Sequence, residues 1–129
     1  ETIDPYSITF FADVTGDARI ERVRYYIDNE VLNRGVIEPT GSPYAYNAGD
    51  EVVTIAADNV RNEVLGTNML TYYDSSGTVI TDMSDLLSVR FVTVDMNVNI
   101  NPTRLPNDFI IHSSASLRNL KDTIWVMVA

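Results

Sequence analysis

The chain has 129 residues, 45% of them hydrophobic and 21% charged, with 18 acidic against 9 basic side chains and a formal net charge of −9. That length makes one domain over residues 1–129, able to bury about two-thirds of its unfolded surface without a metal or a covalent staple. The acidic field repels phosphate backbones and anionic headgroups, so no nucleic acid is expected as a partner; the absence of cysteine excludes disulfides, a thiol nucleophile and thiolate zinc sites.

In "SITFFADV" and "RIERVRYYID", alternation places Ile8, Phe10 and Ala12 on one face, and Val23, Tyr25 and Ile27 on one face of the next segment. Between them "TGDA" supplies turn residues, since Gly tolerates positive φ and Asp bonds its own backbone. Asp28-Asn29 marks a second turn, and "VLNRGVIE" continues the pattern, so the opening third is expected to be a three-stranded antiparallel meander. "EPTGSPYAYNAGD" is a connecting loop, with two prolines and two glycines. A helix is expected after it. Asp50 suits an N-cap, Glu51 the first turn, and Val53, Ala56, Ala57, Val60 and Val64 recur at the spacing of one helical face, with Gly66 at the end.

"NMLTYYDSSGTVIT" reads as a short hairpin turning at Asp74-Ser75-Ser76-Gly77, and "DMSDLL" as one helical turn. In the strand "SVRFVTVDMNVNIN", Val92, Val94, Met96, Val98 and Ile100 share one face, and Thr93, Asp95, Asn97 and Asn99 the wet one. "PTRLPND" turns the chain into "FIIHSSASLRNL", which pairs antiparallel with it; "KDTIWVMVA" is a final strand or a docking tail in which Trp125 is expected to be packed. The order predicts an α+β fold, an antiparallel sheet of meander plus C-terminal hairpin packed against one main helix.

Three acids form the candidate metal site. Asp13, Thr15, Asp17, the carbonyl of Arg19 and Glu21 fall at positions 1, 3, 5, 7 and 9 of an EF-hand-type loop, whose odd spacing presents oxygens to one Ca²⁺. Position 6 is Ala18 where Gly makes the sharp turn, and position 12 is Arg24 where a bidentate Glu belongs. The competing reading is a hairpin turn decorated with polar residues. His112 is the single histidine and is placed on the polar side of its strand with Ser114 and Ser116, without an acid at a readable offset. Nothing in the sequence cradles a phosphate, and no nucleophile elbow is present, so an enzyme is not expected. Tyr25, Tyr26, Tyr44, Tyr46, Tyr72 and Tyr73 read either as a sugar-stacking platform or as core and ordinary surface.

The stretch "YSITFFADVTGDARIERVRYYIDNEVLNRGV", with the closing "SSASLRNL", resembles the globular head of type IV pilin-like proteins, especially minor pilins and minor pseudopilins of type II secretion. Such proteins carry an aromatic strand, an Asp/Gly-rich turn, "VRYY" and a short turn into an "L-x-R" strand. The matching pieces are Ile8 to Asp13, Thr15 to Asp17, Val23 to Tyr26 and Leu32 to Arg34, about a third of the chain. Relatives' turns run closer to D-x-D-G-D-G, from which Thr15, Gly16 and Ala18 depart.

The resemblance implies a non-enzymatic structural subunit of a pilus-like filament or secretion pseudopilus, with other pilin or pseudopilin subunits as partners. It places the protein at the cell surface or in the periplasm, anchored in the inner membrane before assembly by an N-terminal helix. That helix is outside these residues; a chain opening on Glu1 without Met fits a trimmed or mature head. The alternative is an extracellular β-rich module binding glycan or calcium, and the remaining one a small enzyme using His112.

Overall fold

A computed structural model describes residues 2–99, 109–120 and 124–128, apart from the side chains of 109, 116–120 and 124–128. Within them the chain forms two antiparallel sheets. The first holds β1 (Thr2–Asp4), β2 (Ser7–Ala12), β3 (Glu21–Asp28), β4 (Val31–Ile37) and β5 (Val52–Ala57); the second holds β6 (Leu70–Tyr73), β7 (Phe91–Val98), β8 (Phe109–Leu120) and β9 (Ile124–Val128). In both, neighbours in the sheet are neighbours in sequence.

The meander follows from period-two alternation. Pairing Ile8 with Tyr25 and Phe10 with Val23, then Ile27 with Leu32, puts every inward residue on one face. Asn29 and Glu30 join β3 to β4 with φ of 51° and 63°, the two positive values that a two-residue type I′ turn demands. Inward residues Ile3, Ile8, Phe10, Val23, Ile27 and Leu32 pack with Met69, Leu70, Tyr72, Val89, Val92 and Ala115 in one buried cluster that draws on both sheets.

The expected α+β class, with one main helix, is corrected by this arrangement. Residues 52–57 form the outermost strand of the first sheet, and only Asn62–Leu65 makes an α turn, α1, ended by Gly66 at φ 70°. Val52, Val53, Thr54 and Ile55 are four β-branched residues in succession. Their stiff χ1 angles disfavour helix and suit a pleated surface, which outweighs the helical spacing of Val53, Ala56, Ala57, Val60 and Val64. Asn62 hooks α1 to the second sheet: its buried carboxamide donates to the Asp95 carbonyl (2.7 Å) and accepts from the Asn97 N–H (2.9 Å).

The 70–80 segment turns at Asp74, whose carboxylate accepts from Ser76 and Thr78 N–H groups, while β6 takes β7 as its sheet partner. A 3₁₀ turn at Leu86–Ser88 stands where "DMSDLL" suggested helix. β7 and β8 pair in the expected antiparallel sense. The turn expected from "PTRLPND" and the packing of Trp125 lie outside the described residues. Among the described residues no helix is long and apolar enough to cross a membrane.

Tyr72 ties the sheets together. From β6 its buried hydroxyl donates to the carbonyls of Asp4 (2.9 Å) and Ser7 (3.2 Å) and accepts from the Asp4 N–H (3.3 Å), while the Pro5 carbonyl in the same turn accepts from Met69 and Leu70 N–H groups. Burial pushes the phenol far above its ordinary value. The folded chain therefore holds this proton more tightly than the unfolded chain does; the contribution is complete below about pH 10 and is lost as pH rises beyond it. Tyr72→Phe is expected to cost about 1–2 kcal/mol at neutral pH, through the hydrogen bonds it removes between the sheets. In urea denaturation, the wild type should lose more stability than Tyr72→Phe between pH 8 and pH 11; equal losses would refute the assignment.

Candidate functional site

The β2–β3 turn brings the predicted acids together. One carboxylate oxygen from each of Asp13, Asp17 and Glu21 lies within 4.8 Å of the others. Two of the three are exposed, while Glu21 is only 1% exposed at the start of β3. Its buried carboxylate is anchored by the Val14 N–H (2.8 Å) and the Thr15 hydroxyl (3.1 Å). Asp13 accepts from the Gly16 N–H (2.7 Å) and the Ala18 N–H (2.9 Å), wrapping the turn around its two oxygens. Asp17 accepts from the Arg19 N–H (2.9 Å), and that bond leads in holding its carboxyl below the usual aspartate value.

These bonds are enough to explain the turn. Each carboxylate oxygen has two lone pairs, so the oxygens can still meet a hard cation. Arg19 directs its guanidinium to the Pro39 carbonyl, and Arg24, in the twelfth position of the loop pattern, pairs with Glu51 (2.7 Å) and lies over the Tyr26 ring (4.1 Å). The bidentate end of an EF-hand loop is thus missing. Ala18 adopts φ 66° at the position where such a loop uses Gly. Ala18→Gly should raise stability by about 1 kcal/mol, since it removes the left-handed strain of a Cβ; an unchanged or lower midpoint in thermal denaturation would count against that conformation.

Beside the turn runs an open groove of about 570 Å³, lined among others by Val14, Val36 and Val52 with Arg34, Glu38 and Asp50. It continues the inward face of β4 and β5 past the part buried in the core. Its outer bank is β5, the last strand of the sheet, where Val52 and Ile55 are each 65% exposed and Val53 is 47% exposed. Between the sheets a second cavity of about 220 Å³ is lined by Ile8, Tyr25, Leu32, Met69, Val94 and Met96 among others. Its walls offer almost no polar group to orient a ligand.

His112 stands opposite Asp95 in the β7–β8 register, and its Nδ1 meets the Asp95 carboxylate. Sequence reasoning missed this pair. Both residues sit mid-strand on polar faces, but only the register shows that they face each other. The imidazole is 64% exposed, and the pair lines neither cavity. A solvent-facing His–Asp contact orients a ring without enclosing a substrate.

The tyrosines form no common platform. Tyr72 is in the core, Tyr25 lines the inter-sheet cavity, Tyr46 packs edge-on to Phe11 (5.0 Å) with its hydroxyl on the Ile20 carbonyl, and Tyr73 lies against Phe91. The strand β5 was also missed by the helical reading, although its β-branched run was the available signal. No protein-family model matches the chain, and comparison with curated proteins and with solved structures finds no match.

Proposed function

We propose that this domain is a non-enzymatic structural subunit of a type IV pilus-like filament or secretion pseudopilus, working through contacts with other pilin or pseudopilin subunits. The observation that carries this reading is the outermost strand β5, whose Val52, Val53 and Ile55 present apolar surface and an unpaired backbone edge among the described residues. Long, uncharged edge strands are surfaces that proteins ordinarily blunt unless a partner covers them. The residues that carry the resemblance support it further, since Ile8 to Arg34 form one continuous β2-β3-β4 meander. On this reading the helix that anchors such a subunit would lie upstream of these residues.

The residues encoded before Glu1 provide the first test. A prepilin-type cleavage site followed by about 20 apolar residues is expected, and the full-length protein should appear in the sheared filament fraction of its host. Another globular domain directly upstream, or a protein confined to the soluble fraction, would overturn the proposal.

The convergence of Asp13, Asp17 and Glu21 favours a second, compatible reading in which the turn binds Ca²⁺ weakly, with a Kd on the order of 10⁻⁴–10⁻³ M as in extracellular modules. At tenfold excess over Kd the ion would add about 1.4 kcal/mol of stability. The melting temperature should rise in millimolar CaCl₂ and this rise should disappear in Asp17→Asn. A melting temperature indifferent to calcium would exclude the site.

A further inference from the structure

The two edges of the first sheet are built differently. β1 has three residues, ends at Asp4 before Pro5, and is held by Tyr72. β5 has six residues, "VVTIAA", with no charge, proline or glycine. Its one irregularity is a bulge at Ala56, near its C-terminal end, so Val52–Ile55 stay a regular ladder against β4 with no charge or proline to blunt the edge. The groove lies along its inner side, so an added strand would send alternate side chains into it, opposite Val52 and Thr54, and the others outward beside Val53 and Ile55.

Charge selects the occupant. A second copy of β5, paired antiparallel about its own two-fold, would bring the exposed Asp58 to the end where the partner carries the exposed Asp50, in a chain of net charge −9, while Glu51 there is already taken up by Arg24. The exposed acids Asp50 and Glu38 rim the groove where the C-terminal end of an antiparallel partner strand would arrive. Both observations disfavour self-pairing and call for a cation at that end.

We propose that β5 and its groove accept an extended strand from a different partner segment, antiparallel to β5, with small β-branched side chains facing Val52 and Val36 and a Lys or Arg two residues later meeting Asp50 and Glu38. This deepens the assembly reading, on which its biological meaning rests, by naming the contact and its chemistry.

The test titrates the 129-residue chain with the capped peptide Thr-Val-Thr-Val-Thr-Lys and with its counterpart ending in Glu, following backbone amide resonances. The Lys peptide should shift the amides of residues 52–57 and bind about tenfold more tightly than the Glu peptide, since an opposed charge pair replaces a like-charge one. In Asp50→Lys, an exposed change that leaves the core intact, the preference should vanish, because the new cation offsets Glu38, and it should invert only when Glu38→Lys is added. Absence of shifts in β5, equal binding of both peptides by the unsubstituted chain, or a concentration-dependent dimer formed through β5 would overturn the proposal.

The two readings fail separately. A full-length Val53→Lys protein that enters filaments at the wild-type level sinks the strand-docking inference and spares the assembly reading. Charge-selective peptide binding by a protein absent from every filament fraction does the opposite.

Discussion

The architecture depends on a phenol. Tyr72 reaches from the second sheet into the turn between β1 and β2, and its buried hydroxyl is satisfied there by backbone groups of Asp4 and Ser7. This contact, with the two amides donated to Pro5, holds β6 over the end of the first sheet that carries Ile3, Ile8, Ile27 and Leu32. At the other end, around Val14, Val36 and Val52, the inward face opens into the groove. The position of the candidate binding surface is thus a consequence of where the sheets are tied.

A second constraint shapes the outer side. Gly35 on β4 lies beneath the Glu51 carboxylate, where an added Cβ would collide with Oε2. The missing side chain lets Glu51 lie flat and meet Arg24 through two hydrogen bonds, at 3.2 Å and 2.7 Å. The pair is partly exposed, so its contribution is modest; its effect is geometric, because it sets the direction in which the chain enters β5. Tyr46, packed on Phe11 and bonded to the Ile20 carbonyl, fixes the preceding loop over the same face.

Much of this was legible in the sequence because it depends on local period. The alternation of Ile8, Phe10 and Ala12 and of Val23, Tyr25 and Ile27 specifies faces, and Asp28-Asn29 specifies a turn. The odd spacing of Asp13, Asp17 and Glu21 likewise brings carboxylates together as their turn curls. Residues 50–66 misled because helical spacing and β-branched stiffness give opposite answers there, and only an available sheet edge decides between them. The Asp95–His112 pair depends on a register that no short-range pattern encodes. Tyr72 and Tyr73 are indistinguishable in sequence, yet one is the tie between the sheets and the other packs on Phe91.

The unequal edges of the first sheet carry a symmetry consequence. A surface that matches itself closes a two-fold dimer and stops, whereas an open edge covered by a different surface does not close in that way. One side of this sheet ends in a short strand locked to the core and the other in a bare six-residue one. Contacts of the proposed kind, made through β5, would therefore have a direction. An array built from them would have distinguishable ends and would grow without closing, unless the rotation between neighbours happens to complete a ring.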